Sequence, residues 1–279
     1  MKKEEIITLL NDDLEAEHGA IIQYLSHAYA IGEGELACEI EAISREEMRH
    51  LDWLAETIIE LGGKPSMKRG KMRMDGKTVS DWMRNDELLE DDAITMYKAH
   101  IKLIDDRTIK RLLKRILSDE ESHHGDFAHF IDKANKEGII DLRGERKDRV
   151  AEILNWGIEH EYTVILQYLL HSYLATDEEM KLEMEDQAIN EMQHMGWLSE
   201  KMVSGKGNPR LEHTRLDISS KMGDMLRADI KIEKEVAAEY DRAAGEVTSP
   251  DLQKLLKRIR DHEIYHVAVF GDLLKNVEK

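Results

Sequence analysis

Four times along the chain a glutamate is followed, thirty residues later, by the first residue of Glu-x-x-His. Glu17 precedes Glu47 and His50, Glu90 precedes Glu120 and His123, Glu161 precedes Glu191 and His194, and Glu233 precedes Glu263 and His266. Seven residues after each lone glutamate stands a tyrosine: Tyr24, Tyr97, Tyr168 and Tyr240. On a helix, Glu-x-x-His puts a carboxylate and an imidazole on one face, a turn apart. Such groups gathered away from water are the donors of a metal centre. A single motif is weak, because a buried Glu–His hydrogen bond explains it equally well. Two complete sets of six at matching intervals point instead to two carboxylate-bridged di-metal sites.

The elements that must position these side chains are helices, in two copies. Glu17, Glu47 and His50 recur 144 residues later, and Glu90, Glu120 and His123 recur after 143. Neighbours follow, as in Gln23-Tyr24 against Gln167-Tyr168. The reading is all-α, with two tandem four-helix bundles over 1–140 and 146–279, joined by a charged, glycine-bounded linker from Glu137 to Lys147. In the first copy the helices are expected at 3–31, 35–61, 79–104 and 107–135. Gly32-Glu33-Gly34 separates the first pair, and Asp105-Asp106 can cap the last helix. In the second copy Ser249-Pro250 reads as a helix cap followed by proline at the first helical position. The long stretch from Gly62 to Thr78 suits a crossover between two helical hairpins.

Spacings of three and four trace one apolar stripe per helix, and each stripe is broken midway by a glutamate. The first runs Leu10, Leu14, Glu17, Ile21, Tyr24; the second runs Ile40, Ile43, Glu47, His50, Leu54. Glu17 lies 15 residues before Gly32 and Glu47 lies 13 after Gly34. At the helical rise both stand roughly 20 Å from the turn, so they meet across the hairpin. Glu90 and Glu120 do the same about Asp105. Four buried carboxylates without partners would cost several kcal/mol each. Two divalent cations cancel their charge. Oxygen-rich ligation with imidazole favours iron or manganese over zinc.

Composition narrows the alternatives. A net charge of −18 offers no basic stripe for nucleic acid. Cys38 is the lone cysteine, so the chain has no disulfide framework and no cysteine-ligated iron centre of its own. No apolar run reaches membrane-spanning length, and Met1 to Glu5 lacks the apolar core of a signal peptide. A cytoplasmic protein without nucleic-acid or membrane partners is expected. His27 and His171 recur between the copies and read as buried hydrogen-bonding groups. His18, His100, His124, His129, His160, His213 and His262 have no counterpart and read as surface or supporting groups. The four tyrosines two turns from the lone glutamates could hold a ligand carboxylate or pass an electron, with Tyr24 and Tyr168 as the catalytic candidates, or equally be satisfied core tyrosines.

These residues resemble the ferritin-like superfamily, its bacterioferritin branch most closely. The likeness is carried by the twelve residues above and by Glu60-Leu61-Gly62-Gly63-Lys64-Pro65, Ile116 to Glu121 and Met225 to Asp229. It covers nearly the whole chain as two copies. It implies terminal ligands at Glu17, Glu90, Glu161 and Glu233, and bridging ligands at Glu47, Glu120, Glu191 and Glu263. His50, His123, His194 and His266 would each take one metal. The implied activity is oxidation of Fe2+, two per domain, by O2 or H2O2, for iron handling or peroxide detoxification. A dimanganese catalase and a non-enzymatic metal-sequestering bundle are the alternatives, and homo-oligomers are among the assemblies the likeness allows. It also implies a haem position at Met48 and Met192, inside Glu-Met-x-His, where methionine filling an apolar contact is the plainer reading. Rubrerythrins carry a glutamate three residues after the third helix's ligand, but here Ala93 and Val236 stand there. The residues preceding the bridging glutamates are expected behind the ligand histidines: carboxylates Glu46 and Asp119 in the first copy, Asn190 and His262 in the second.

Overall fold

Polar caps, rather than the apolar stripes, fix where several of the helices begin. The computed structural model describes residues 1–137 and 143–278, so the expected linker lies partly outside the described residues, at 138–142. The first compact unit holds α1 (Lys3–Ile31), α2 (Glu35–Glu60), α3 (Val79–Leu103) and α4 (Arg107–Glu137). The second holds α5 (Arg149–Leu174), α6 (Glu178–Ser204), α7 (Met222–Glu246) and α8 (Pro250–Val277). The first unit ends at Gly144 and the second begins at Glu145. Each unit is a four-helix bundle, and the fold is all-α, with no strand among the described residues.

Thr78 accepts from the backbone of Asp81 at 3.1 Å, and the Asp81 carboxylate returns to Thr78 N at 3.0 Å. Such a reciprocal pair satisfies two amides that the first turn of α3 would otherwise leave bare. Asp106 takes the amides of Thr108 and Ile109 at the head of α4. Ser249 caps α8, with Pro250 at its first position. Gly32, at φ 84°, closes α1 in a conformation that costs a side-chain-bearing residue more.

Within each unit the helices pair as hairpins, α1 with α2 and α3 with α4, then α5 with α6 and α7 with α8. The first unit's crossover is pinned along α1. Ser66 N donates to Asn11 Oδ1 at 2.7 Å, Gly70 N to the Glu15 carbonyl at 2.6 Å, and Arg73 N to Gln23 Oε1 at 2.5 Å. Leu10, Leu14, Ile40, Leu54, Leu113 and Ile116 are buried in this bundle, and Ile158, Leu198 and Ile259 in the other. Burying such side chains stabilises a bundle by roughly 1.5–3 kcal/mol each. That apolar filling is interrupted at mid-height by charge. Among the described residues no helix is long and apolar enough to cross a membrane.

Candidate metal centres

The twelve side chains meet in two groups of six. In the first unit Glu17, Glu47, His50 and Glu120 bring one donor atom each within 4.8 Å of one another, and so do Glu47, Glu90, Glu120 and His123. Glu47 and Glu120 belong to both sets, the topology of two bridging carboxylates between two cations. The second unit repeats it with Glu161, Glu191, His194 and Glu263, and with Glu191, Glu233, Glu263 and His266. All twelve are buried. His50 Nδ1 stands 2.8 Å from Glu47 and 3.0 Å from Glu120, while His194 Nδ1 stands 2.6 Å from Glu191 and 3.3 Å from Glu263. Each ligand-side imidazole therefore turns its Nδ1 inward.

The donors converge on shared points more than on each other. His123 Nδ1 and Glu47 Oε1 lie 2.8 Å apart, yet neither makes a hydrogen bond. Glu90 Oε2, Glu120 Oε1, both oxygens of Glu191 and of Glu233, and the Nδ1 atoms of His194 and His266 are likewise buried and without hydrogen-bond partners. Orphaned acceptors in such numbers are rare in folded proteins. A pair of divalent cations at the shared points would satisfy them, and oxygen with imidazole suits iron or manganese.

Without metal the clusters hold protons instead. Burial, reinforced by the charge of Glu47, raises Glu17 to about 8. Burial and neighbouring carboxylates also raise Glu90 and Glu120 well above the ordinary range. Burial opposes ionisation of Glu47 as well, but His123 and His50 outweigh it and hold that carboxyl low. Burial alone would lower the two imidazoles. Contacts with Glu120, Glu17 and Glu47 lift His50 far above its usual value, and Glu47 brings His123 to about 10. In the second unit burial raises Glu161 and Glu233, whereas His194 and His266 overcome burial to lower Glu263. Glu120 and its counterpart Glu263 are thus poised oppositely.

The groups behind the donors differ between the units. His123 Nε2 lies 2.9 Å from Glu46, and His50 Nε2 lies 3.4 Å from Asp119. Each carboxylate reaches across to the histidine of the facing helix. In the second unit His262 Nδ1 takes Asp119's place, 2.8 Å from His194 Nε2, and Asn190 turns to Gln187 at 3.2 Å. Burial, and then the facing charge of His194, lowers the pKa of His262.

Of the tyrosines, Tyr24 donates to Glu90, Tyr97 to Glu17, and Tyr240 to Glu161. Burial and the adjoining carboxylates hold all three phenols well above their usual pKa, so they remain donors. Tyr168 departs from this pattern. Its ring packs edge-on to Phe270 at 5.2 Å, and its buried hydroxyl has no hydrogen-bond partner. Met48 and Met192 lie half-buried on α2 and α6, each one residue beyond a shared glutamate.

His27 and His171 are buried away from the donor groups. His27 Nδ1 bonds Asp86 at 2.8 Å and His171 Nδ1 bonds Asp229 at 2.9 Å, with Gln23 and Gln167 donating to the same carboxylates at 2.7 Å. The sequence showed the recurring histidines; their aspartates, about sixty residues away, carried only the signal of recurring one turn before Glu90 and Glu233. His100 is more deeply placed than expected. It bonds Asp13 at 2.7 Å in a buried pair, and burial raises Asp13 to about 6 despite the imidazole. A cavity of about 610 Å³ in the first unit reaches Glu17, Glu90 and Glu120 from between α1, α3 and the crossover. Nothing in the motifs announced it.

Fold and site define a class: four-helix bundles that gather paired carboxylates and imidazoles in their interior. The ferritin-like domain matches residues 7–136 and again 151–279, and the chain belongs to that family, as two consecutive copies. A bacterioferritin of Desulfovibrio desulfuricans is 32% identical over 128 residues, which cover 44% of this chain and 72% of that one. A bacterioferritin of Mycobacterium tuberculosis is 34% identical over 126 residues, covering 43% and 79%. Among solved structures, the M. tuberculosis bacterioferritin matches at 31% identity over 48% of this chain and 89% of its own, with a TM-score of 0.45. The D. desulfuricans bacterioferritin, solved with its diiron site in different catalytic states, matches at 30% over 48% and 82%, with a TM-score of 0.46.

Proposed function

We propose that each unit binds two Fe2+ and that the chain oxidises them with O2 or H2O2, in the service of iron handling or peroxide removal. The observation that carries this reading is the sharing of Glu47 and Glu120, and of Glu191 and Glu263, by two overlapping donor sets. Two cations bridged by those carboxylates account for both overlaps. Iron is favoured by the bacterioferritin relatives, which span most of their own length on this chain. Glu17 and Glu90 serve as terminal ligands, and His50 and His123 each hold one cation through Nδ1. Glu161, Glu233, His194 and His266 take those roles in the second unit. Tyr97 and Tyr24 fix the terminal carboxylates by donating to Glu17 and Glu90. Each Fe2+ supplies one electron, and four carboxylates with two neutral imidazoles balance the charge of two M2+. Loading releases the protons that the metal-free donors hold. The exposed free thiol of Cys38 fits a reducing cytoplasm.

Protein purified without added metal is to be assayed for metal content, then mixed anaerobically with Fe2+ and followed by stopped-flow absorbance on adding O2 or H2O2. Rapid appearance of Fe3+ beyond the protein-free rate is expected. A rate equal to the protein-free control overturns the oxidase reading and leaves a sequestering bundle. Bound manganese with O2 released from H2O2 would favour the catalase alternative. The same preparation, made with ample haem, shows by its Soret band whether Met48 and Met192 hold haem.

A further inference from the structure

The two units differ most in what stands between their donor groups and solvent. In the first, the cavity of about 610 Å³ has Glu17, Glu90 and Glu120 at its floor. Its walls include Ala16, Ala20, Leu89, Ala93 and Met96. A water occupies roughly 30 Å³ and drug-sized ligands take pockets of about 300–1,000 Å³. O2 and H2O2 need a small fraction of this space; Asp12, Glu15 and Asp92 also line it and suit cations, while the alanine, leucine and methionine walls are left to suit an alkyl group. Arg73, held to Asp92 at 2.7 Å, and Lys71 stand among the lining residues and offer cations beside the apolar part of the wall.

The second unit carries larger side chains at the equivalent positions. His160 replaces Ala16, Val164 replaces Ala20, Val236 replaces Ala93, and Trp156 replaces Asp12. The His160 ring stacks on Trp156, centroids 6.0 Å apart, and its Nε2 is fully buried. Trp156 in turn lies edge-on to Tyr240 at 5.1 Å, and Tyr240 donates to Glu161. Val164 and Val236 are buried. The crossover closes in as well. Gly70, in the first unit, becomes Thr214, whose amide and hydroxyl meet Thr163 Oγ1 at 2.9 and 3.2 Å.

We propose that the first unit's cavity admits organic hydroperoxides to its metal centre, and that the second unit, filled at the same place, is restricted to O2 and H2O2. This rests on the oxidase reading above and names a substrate class for one of its two sites. The alkyl body lies against Ala20, Leu89, Ala93 and Met96, and the hydroperoxide head reaches the carboxylate floor. The O–O bond breaks as ROOH takes two electrons, one from each Fe2+, and two protons, leaving ROH, H2O and two Fe3+.

The test uses full-length chains with one donor set disabled. Glu191→Ala with Glu263→Ala leaves the first centre, and Glu47→Ala with Glu120→Ala leaves the second. Each is loaded with Fe2+ anaerobically and mixed with H2O2 or with cumene hydroperoxide, and the two oxidation rates are expressed as a ratio. The cumene-to-H2O2 ratio should be roughly tenfold or more higher for the first centre, the scale on which a pocket discriminates by size. Introducing Ala20→Val with Ala93→Val, side chains the second unit already accommodates, should lower that ratio. His160→Ala should raise it in the second centre, a gain that misfolding cannot mimic. Equal ratios at the two centres, or no oxidation by cumene hydroperoxide where H2O2 succeeds, overturn the proposal. Failure of every oxidant, O2 included, would instead overturn the oxidase reading on which it rests.

Discussion

The two halves of this chain hold the same six donor groups in the same arrangement, yet the residues backing the histidines differ. In the first unit both ligand-side imidazoles are backed by carboxylates, Glu46 and Asp119. In the second, one is backed by a neutral-leaning imidazole, His262, and Asn190 turns away to Gln187. The buried Asp13–His100 pair of the first unit has Gly157 and Ala243 in the corresponding positions of the second. A Cβ on Gly157 would come within 2.8 Å of Leu198 and 3.0 Å of the Tyr240 hydroxyl, so the second unit has no room for a side chain there. A donor set is constrained in residue type, because four carboxylates and two neutral imidazoles together balance two divalent cations. Supporting groups need only keep an imidazole oriented or a space filled, and several chemistries do that.

The largest expected consequence is a difference in metal affinity. A carboxylate behind a ligand histidine raises its basicity, and losing such a partner typically costs ~10–100-fold in affinity or activity. The first unit should therefore bind Fe2+ about that much more tightly than the second, measured by anaerobic titration of the two single-centre chains. His262→Asp should narrow the gap and Glu46→Gln should narrow it from the other side. Equal affinities in the parent pair would refute the asymmetry.

A smaller difference is expected in protons. Glu17, raised from 4.5 to about 8, keeps its proton in the folded metal-free chain where the unfolded chain has lost it. Its stabilising contribution is complete below the unfolded value and is lost as pH rises through about 8. His123, raised from 6.5 to about 10, acts with the same sign over a higher window. Metal-free protein should thus lose stability as pH rises from about 5 to 10, and metal should restore it most at the alkaline end. Glu120 is held high and Glu263 low, so loading the first centre at neutral pH should release more protons than loading the second. Indicator-dye measurements on the single-centre chains check this, and identical release would remove the distinction.

The crossovers bear on stability rather than on the metal centres. Alanine at Gly70 would place its Cβ 2.4 Å from the Glu15 carbonyl oxygen, which forces the backbone apart and should cost about 1–3 kcal/mol. Thr214→Ala loses only the contact between hydroxyls with Thr163, about 1 kcal/mol or less. Thermal melts of the two variants should rank in that order. The reverse order would mean that the second crossover, not the first, is the tightly seated one.

Much of this was legible in the sequence because the helix repeat converts spacing into direction. The first unit's helices begin where expected and end within two residues of it. The grouping of the twelve side chains, though not their role, follows from the thirty-residue interval and the position of each turn. Contacts between distant helices were less visible. The role of Asp86 and Asp229 shows only in the folded bundle, which sets them beside His27 and His171. Tyr168 repeats the spacing of Tyr24 without repeating its bond to a carboxylate, since spacing fixes a face of the helix and not the last ångström. The cavity is made by Ala16, Ala20, Gly70 and Ala93, small residues whose meaning is the atoms they lack. Such a signal appears only when the neighbouring helices are in place.

Two intact, independent di-metal centres are the central claim, and metal stoichiometry tests it most directly. Anaerobic titration of the metal-free chain with Fe2+ should saturate at about four equivalents, two per bundle, and the Glu47→Ala, Glu120→Ala chain should saturate at about two. Stoichiometry unchanged by that double substitution, or saturation of the parent chain at about two, would contradict the account.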